Sequence, residues 1–349
     1  MSSSSSSSVI KTKEINVIVV GVSGSEAVKG PSGVGKSLLC NRFVRPSADE
    51  FHREHSSVLS QIDFCGSPVI NKDHWLYWGS RLLSSSDSPN VLVRVAEQTE
   101  FLDDETFETI AGCSKSENYC QRCSRTTLQS RDKLMYIQKE QLGLESEFPQ
   151  HLLPDGKFNV DGFILACDVS KDSYLFHSNQ IINIVKSISK TKKPIVIAFT
   201  KCDELSEETK KYYMNLFSGT KELKHVLSCL SPVETSSVKN VNVDYLFGSL
   251  SFLCLRSQKL MKKPLGYQEA SLYVEQRNLH VKCCFSTLLS QAVPLCVYPK
   301  KCLSWNQVLA DIDRHPDLMN FVTVFGSRVA FEMYERYVSE AKELWAINR

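Results

Sequence analysis

Eight residues near the amino terminus, GPSGVGKS from Gly30 to Ser37, fit the pattern Gly-x4-Gly-Lys-Ser. The pattern binds phosphate for physical reasons. Backbone N–H groups of Gly33, Val34, Gly35, Lys36 and the first helical residues, Ser37 and Leu38, can wrap an oxyanion. The Lys36 ammonium reaches the outer phosphates, and the Ser37 hydroxyl can ligate Mg²⁺. A second group with chemical potential is Cys113, Cys120 and Cys123 with His151 downstream, since Cys120-x-x-Cys123 has a spacing that zinc sites use. No fourth ligand is evident there, and ordinary thiols in a long insert are the favoured reading.

The phosphate loop needs a strand before it and a helix after it, and both are legible. Glu14 to Gly21, EINVIVVG, is a β-branched apolar run of buried-strand length, and Ser37 to Phe43 is patterned as a helix. Nine residues, VSGSEAVKG, separate the strand's Gly21 from the rest of the loop, an unusual splice that leaves the phosphate-contacting residues contiguous. Further strands are expected at Val91–Val95, from Asp161, from Lys193 and from Leu230. Helices are expected at Asn179–Lys190, Glu207–Phe217 and Val243–Leu255. Strands alternating with helices imply a doubly wound α/β sheet. Ser84–Pro89 reads as a polar loop and Asp103–Lys157 as a long insertion. After Leu255 a basic connector leads into helix and loop with no strand candidates, which places a domain boundary near Lys262.

Bulk properties narrow the classes. The 349 residues are 42% hydrophobic and 23% charged with a formal net charge of +2, and they contain no long basic run, so nucleic acid is not an expected partner. The opening MSSSSSSS is read as a disordered tail, since it lacks the apolar core of a signal peptide, and no run is long enough to span a bilayer. Thirteen cysteines without a repeating framework suit reduced thiols in the cytoplasm.

Two downstream stretches specify the base. Thr200-Lys-Cys-Asp203 resembles the guanine-specifying motif of small GTPases. Asp203 can accept two N–H bonds from the guanine edge, which adenine cannot donate, while the Lys201 stem covers the ring. Glu234-Thr-Ser-Ser237 resembles the loop whose backbone N–H meets the guanine carbonyl, which adds Thr235, Ser236 and Ser237 to the candidates. Val238 stands where that loop often carries a lysine. For the Mg²⁺-capping hydroxyl of switch I the candidates are Ser56 or Ser57. Switch II departs most. Where such proteins read Asp-x-x-Gly-Gln, this chain reads Glu97-Gln98-Thr99-Glu100-Phe101. Glu97 replaces the aspartate behind Mg²⁺, Glu100 the glycine that bonds the γ-phosphate, and Phe101 the glutamine that orients water. The site is therefore expected to hold GTP and Mg²⁺ rather than to hydrolyse GTP. Two alternatives are a slow GTPase in which Gln98 or Glu105 orients water, and a P-loop protein specific for ATP.

GVGKSLLCNRFVRPSADEFH, EQTEF, DKLMY, QLGLE, PDGK, TKKPIV, TKCDE, VETS and NVNVD together resemble the amino-terminal GTPase-like domain of the large RhoGAPs historically called glucocorticoid receptor DNA-binding factors. The resemblance implies a pseudoGTPase that retains GTP and Mg²⁺, followed by FF repeats, which are helical protein-interaction modules. Phe285, Trp305 and Phe331 fit one such repeat, with all three aromatics expected in its core. It also implies that the parent acts on Rho-family GTPases through a carboxy-terminal catalytic domain that nothing here resembles. The expected organisation is a Ser-rich tail (1–13), a P-loop small-GTPase-like α/β domain with insertions (14–258), a linker (259–268) and a small all-α FF module (269–345).

Overall fold

A computed structural model of the chain describes residues 12–22, 33–59, 75–85, 88–98, 115–129, 134–138, 157–170, 174–256, 263–294 and 304–347. The chain divides into two compact units. One comprises Met1–Val44 with Arg53–Tyr267, and the other Arg45–His52 with Gln268–Arg349.

The elements of the first unit run β1 (Lys13–Val20), α1 (Lys36–Val44), β2 (His55–Leu59), β3 (Trp75–Ser85), β4 (Ser88–Gln98), α2 (Lys115–Cys123), β5 (Thr127–Gln129), β6 (Leu134–Gln138), β7 (Lys157–Asn159) and β8 (Gly162–Asp168). They continue with α3 (Tyr174–Lys190), β9 (Ile195–Thr200), a single 3-10 turn (Cys202–Glu204), α4 (Glu207–Gly219), α5 (Lys221–Cys229), β10 (Val233–Glu234) and α6 (Val243–Cys254). Six strands form one sheet in the order β10-β9-β8-β1-β4-β3. Every pairing in it is parallel except the edge hairpin of β3 with β4. All seven residues of β8 and all six of β9 are buried, which explains why their sequences are unbroken apolar runs: a strand covered on both faces has no solvent side to alternate with.

Helices cover both faces. Ile18, Val20, Phe163, Leu165, Ile197 and Phe199 pack with residues of α2 to α5 on one side. Val17, Val19, Val93, Val95, Ile164 and Val196 pack with Leu39 and Phe43 of α1 and Leu246, Phe247 and Leu250 of α6 on the other. The rings of Phe43 and Phe247 stack at 3.9 Å between centroids, tying α1 to α6. The α/β expectation holds. Three details differ from the sequence reading. The strand seen at Val91–Val95 spans Ser88–Gln98, strand β3 was not anticipated, and Ser84, Ser85 and Ser88 belong to the hairpin rather than to a loop, with Ser85 opposite Ser88. Serine is common in loops, so composition alone reads such a stretch as loop. Inside the long insertion, β5 pairs with β7, and β6 pairs with β2.

The second unit is built from α7 (Tyr267–Ala292, whose first residue belongs to the first unit), α8 (Trp305–Ile312), α9 (Pro316–Phe325) and α10 (Ser327–Ile347). Pro316 opens α9 at a position where its missing N–H costs nothing, and His315 Nδ1 accepts the Asp317 N–H. Phe285, Leu289, Val308, Phe321, Ala330 and Tyr334 form the core, with the Phe285 and Phe321 rings 4.3 Å apart. Trp305 packs partly buried against it, 5.1 Å from the Tyr334 ring. Phe331 is a correction. It is 37% exposed, and the second core phenylalanine is Phe321. The buried stripe of α10 runs Ala330, Tyr334, Ala341, so the residue after Ala330 is turned about 100° away from it. Within this unit Asp49 accepts both the N–H and the hydroxyl of Ser327, capping α10 from the Arg45–His52 segment. Gly326, at φ +90°, is the residue beside it that leaves room for that carboxylate.

Candidate functional site

The ends of five parallel strands supply the site. β1 lies where the chain order of the sheet reverses, with β8 on one side and β4 on the other. In open α/β sheets the crevice beyond the carboxyl ends of the strands at such a point is where ligands bind. Gly35 follows β1, Glu97 is the last residue but one of β4, Asp168 ends β8, Lys201 and Asp203 follow β9, and Thr235 to Ser237 follow β10. The sequence candidates from 33–38, 201–203 and 235–237 therefore come to one edge of one sheet.

The described part of the candidate phosphate loop, Gly33 to Ser37, leads straight into α1. Gly35 has φ +83°, a left-handed conformation that glycine adopts without penalty, and its carbonyl accepts the first helical bond, from Leu39 N–H, at 3.0 Å. The Thr200 hydroxyl donates to Val34 O at 2.7 Å, fastening the loop to the end of β9. Lys36 is buried, and its Nζ donates to Gly21 O at 2.9 Å. Gly30, Pro31 and Ser32 lie outside the described residues.

Glu97 is the residue on which the site turns. Its Oε1 accepts the Ser37 hydroxyl at 2.7 Å and its Oε2 accepts Trp78 Nε1 at 2.8 Å. The carboxyl is fully buried. Desolvation pushes its pKa above the usual carboxylate range, while Lys36 and the hydrogen bonds from Ser37 and Trp78 act in the opposite sense. A glutamate here thus reaches the hydroxyl of the expected metal ligand directly. Gln98, the next residue, faces the other side of the sheet, as strand alternation requires. It is fully buried, and its Oε1 accepts from Cys123 Sγ at 2.6 Å. That placement removes Gln98 as a residue to orient water beside Ser37. Glu100, Phe101 and Glu105 lie outside the described residues.

The base-side candidates are also tied together. Lys201 stands in a left-handed conformation (φ 57°, ψ 37°) at the start of the 3-10 turn that carries Asp203. Its Nζ donates to Gly33 O at 2.5 Å and to Asp168 Oδ2 at 2.7 Å. Cys202 N–H donates to Thr235 O at 3.1 Å, and Thr235 N–H to Phe199 O at 2.7 Å, so the two candidate segments are laced to each other. Thr235 and Ser236 are buried, and Ser237 is half-buried. Glu234 turns elsewhere: its carboxylate pairs with Lys210 at 2.7 Å and accepts the Tyr267 N–H at 2.6 Å.

Ser56 stands in a strand rather than a loop. It lies in β2, where the register pairs Ser56 with Ile137 and Ser57 with Tyr136. Of the cysteine cluster, Cys120 and Cys123 sit buried on α2. The Cys120 thiol contacts Gln180 O at 3.6 Å, while Cys113 and His151 lie outside the described residues. Among the described residues there is no group of three or more His, Cys, Asp or Glu placed to hold a metal ion. The sequence reading missed Asp168, Trp78 and Arg42. Asp168 carried a usable signal, an acidic residue closing the apolar run GFILACD at the ligand-binding end of a parallel strand.

No family model matches the chain. Curated relatives do. Rho GTPase-activating protein 35 of Rattus norvegicus is 39% identical over 336 residues, covering 95% of this chain and 21% of the relative. The protein of the same name from Mus musculus is 38% identical over the same length. Rho GTPase-activating protein 190 of Drosophila melanogaster is 33% identical over 335 residues, again 95% of this chain and 21% of the relative. The chain's homologues are thus Rho GTPase-activating proteins, and it spans about a fifth of their length.

Proposed function

We propose that this chain is a GTP-holding, non-hydrolysing module joined to an FF-type interaction module, and that it serves a Rho GTPase-activating protein in the cytoplasm. The observation that carries the reading is the meeting, at one sheet edge, of the phosphate-loop residues Gly33 to Ser37 with Lys201, Asp203 and the 235–237 loop. Lys36 would neutralise the outer phosphates, and Ser37, backed by Glu97, would hold Mg²⁺. Asp203 and the Thr235–Ser237 backbone would read guanine, with the Lys201 stem across the ring. Mg²⁺ supplies charge neutralisation on the phosphates. The residues present fit both groups: the Ser37 hydroxyl with the acidic Glu97 behind it suits Mg²⁺, and the buried cation Lys36 suits the phosphates.

Turnover is a separate matter. A water must be oriented for in-line attack, and the residues that do this in active relatives of the fold class are replaced by Glu100 and Phe101. Gln98, the nearby amide that could have substituted, faces the opposite side of the sheet with Cys123. Bound GTP then acts as a structural ligand, stabilising the folded state by mass action. Action on Rho-family GTPases belongs to the longer parent. The helical unit, with its Phe285–Phe321 core, would contribute protein contacts from its surface.

The test is to denature freshly purified protein and identify the released nucleotide by ion-exchange chromatography. Stoichiometric GTP is expected. GDP, or no nucleotide, would sink the reading.

A further inference from the structure

Arg42 lies in the last turn of α1, the helix whose first turn carries Lys36 and Ser37. Its side chain is buried, and desolvation lowers its pKa to about 10, which leaves it a cation at neutral pH. The guanidinium does not run along its own helix. Nε donates to Ser237 O at 2.7 Å and Nη2 to Val238 O at 3.2 Å, a two-nitrogen fork across 195 residues of sequence onto the loop after β10.

The loop's other bonds show what this grip achieves. Thr235 N–H is taken by Phe199 O at 2.7 Å and Ser236 N–H by Val241 O at 3.2 Å, with Val241 N–H returning to Ser236 O at 2.9 Å. Lys239 N–H donates to Ser236 Oγ at 3.1 Å. Among the described residues these bonds occupy the amides of Thr235, Ser236, Lys239 and Val241, with the Ser237 and Val238 N–H groups between them. In a trans peptide the C=O and N–H lie on opposite edges of one plane, so a fixed Ser237 oxygen fixes the Val238 N–H behind it. The Ser236–Val241 bridge fixes the loop on the other side of Ser237.

We propose that Arg42 is a positioning residue for purine recognition: by holding the Ser237 and Val238 carbonyls it presents the intervening Val238 N–H as a pre-set donor to the keto oxygen of guanine. The inference rests on the GTP reading above and deepens it. It also gives a physical compensation for Val238, which cannot cover the base as a lysine would. A single residue of the phosphate-binding helix thereby sets the base-reading loop, so the two halves of the nucleotide are read by one rigid piece. A carbonyl clamp of this kind needs the planar fork; a lysine offers one ammonium in its place.

The experiment separates keto-oxygen reading from everything else. The full chain is stripped of nucleotide with EDTA, returned to Mg²⁺, and competed at equilibrium with a fluorescent GTP analogue by GTP, ITP and 6-thio-GTP. Inosine lacks only the 2-amino group that Asp203 would read. 6-Thioguanine keeps that group and replaces only the keto oxygen, with a larger and weaker acceptor. In Arg42→Met the preference for GTP over 6-thio-GTP should narrow by about fivefold, one neutral hydrogen bond's worth, while the preference for GTP over ITP stays at the wild-type value. Arg42→Lys should fall between the two. Both ratios unchanged in Arg42→Met, or both falling together, would overturn the inference. If Arg42→Met does not fold, Arg42→Lys decides, and a wild-type 6-thio-GTP ratio in it would overturn the inference equally. Wild-type protein that binds no guanine nucleotide would instead overturn the GTP reading beneath it.

Discussion

Asp168 gives the most exacting prediction. It is buried at the end of β8, and its carboxylate serves three donors: Lys201 Nζ at 2.7 Å on Oδ2, and Ser170 N–H at 2.9 Å and Ser170 Oγ at 2.5 Å on Oδ1. Removing one partner from a buried ion pair costs about 3–5 kcal/mol, because the other charge loses its compensation. Lys201 is 24% exposed and keeps its bond to Gly33 O, so water and that carbonyl absorb part of the loss. Asp168→Ala should therefore sit at the lower end, about 3 kcal/mol, the stranded Ser170 donors included. For a unit of this size that is roughly a 6–12 °C fall in melting temperature. Asp168→Asn keeps the shape and one acceptor and should lose about half as much. On the proposed GTP reading both variants should also release nucleotide faster, since Asp168 holds Lys201, whose stem would cover the base. Thermal unfolding by circular dichroism in excess GTP, with dissociation of labelled GTP alongside, tests both parts. If Asp168→Ala melted within about 2 °C of wild type and released GTP at the wild-type rate, the reasoning that Asp168 anchors Lys201 would be refuted.

Four further outcomes follow from the same geometry. Lys36→Ala should lose nucleotide and melt at lower temperature, and an unchanged melting temperature would mean that GTP is dispensable to the fold. Trp78→Phe keeps most of the ring but strips Glu97 Oε2 of its donor, for about 1.5–3 kcal/mol; a double-mutant cycle with Glu97→Gln should show coupling well above 0.5 kcal/mol, and additivity would count against the contact. In the helical unit Phe321→Ala should cost about 3–5 kcal/mol and Phe331→Ala about 1 kcal/mol or less, measured by urea unfolding; equal losses would contradict the placement of Phe331 at the surface. Burial pushes the Cys202 thiol up to about 12, so at pH 8 roughly one molecule in ten thousand carries the thiolate. Iodoacetamide should then label the exposed Cys229 and Cys283 long before Cys202, with Cys202 reacting faster as pH rises; rapid native labelling of Cys202 at pH 8 would be the contrary result.

What the sequence determined is what depends on neighbours along the chain. A phosphate loop is built from consecutive amides, one lysine and one serine, so the candidate Gly33 to Ser37 could be picked out without any fold. Strands buried on both faces must be continuously apolar, so β8 and β9 were legible too, and with them the α/β sheet. The candidate stretches at 201–203 and 235–237 could be picked out because each is a short contiguous segment after such a strand. The tertiary structure alone decided which side chains from distant segments meet. Ser37 meets Glu97 across 60 residues, Lys201 meets Asp168 across 33, and Arg42 meets Ser237 across 195. It also decided that Gln98 faces away from Ser37 and that Phe321 rather than Phe331 fills the helical core. These choices turn on strand order and on which face of a strand or helix a residue takes. Neighbouring residues differ on that point by half a turn in a strand and about 100° in a helix, and only packing against the rest of the unit fixes which of the two is buried.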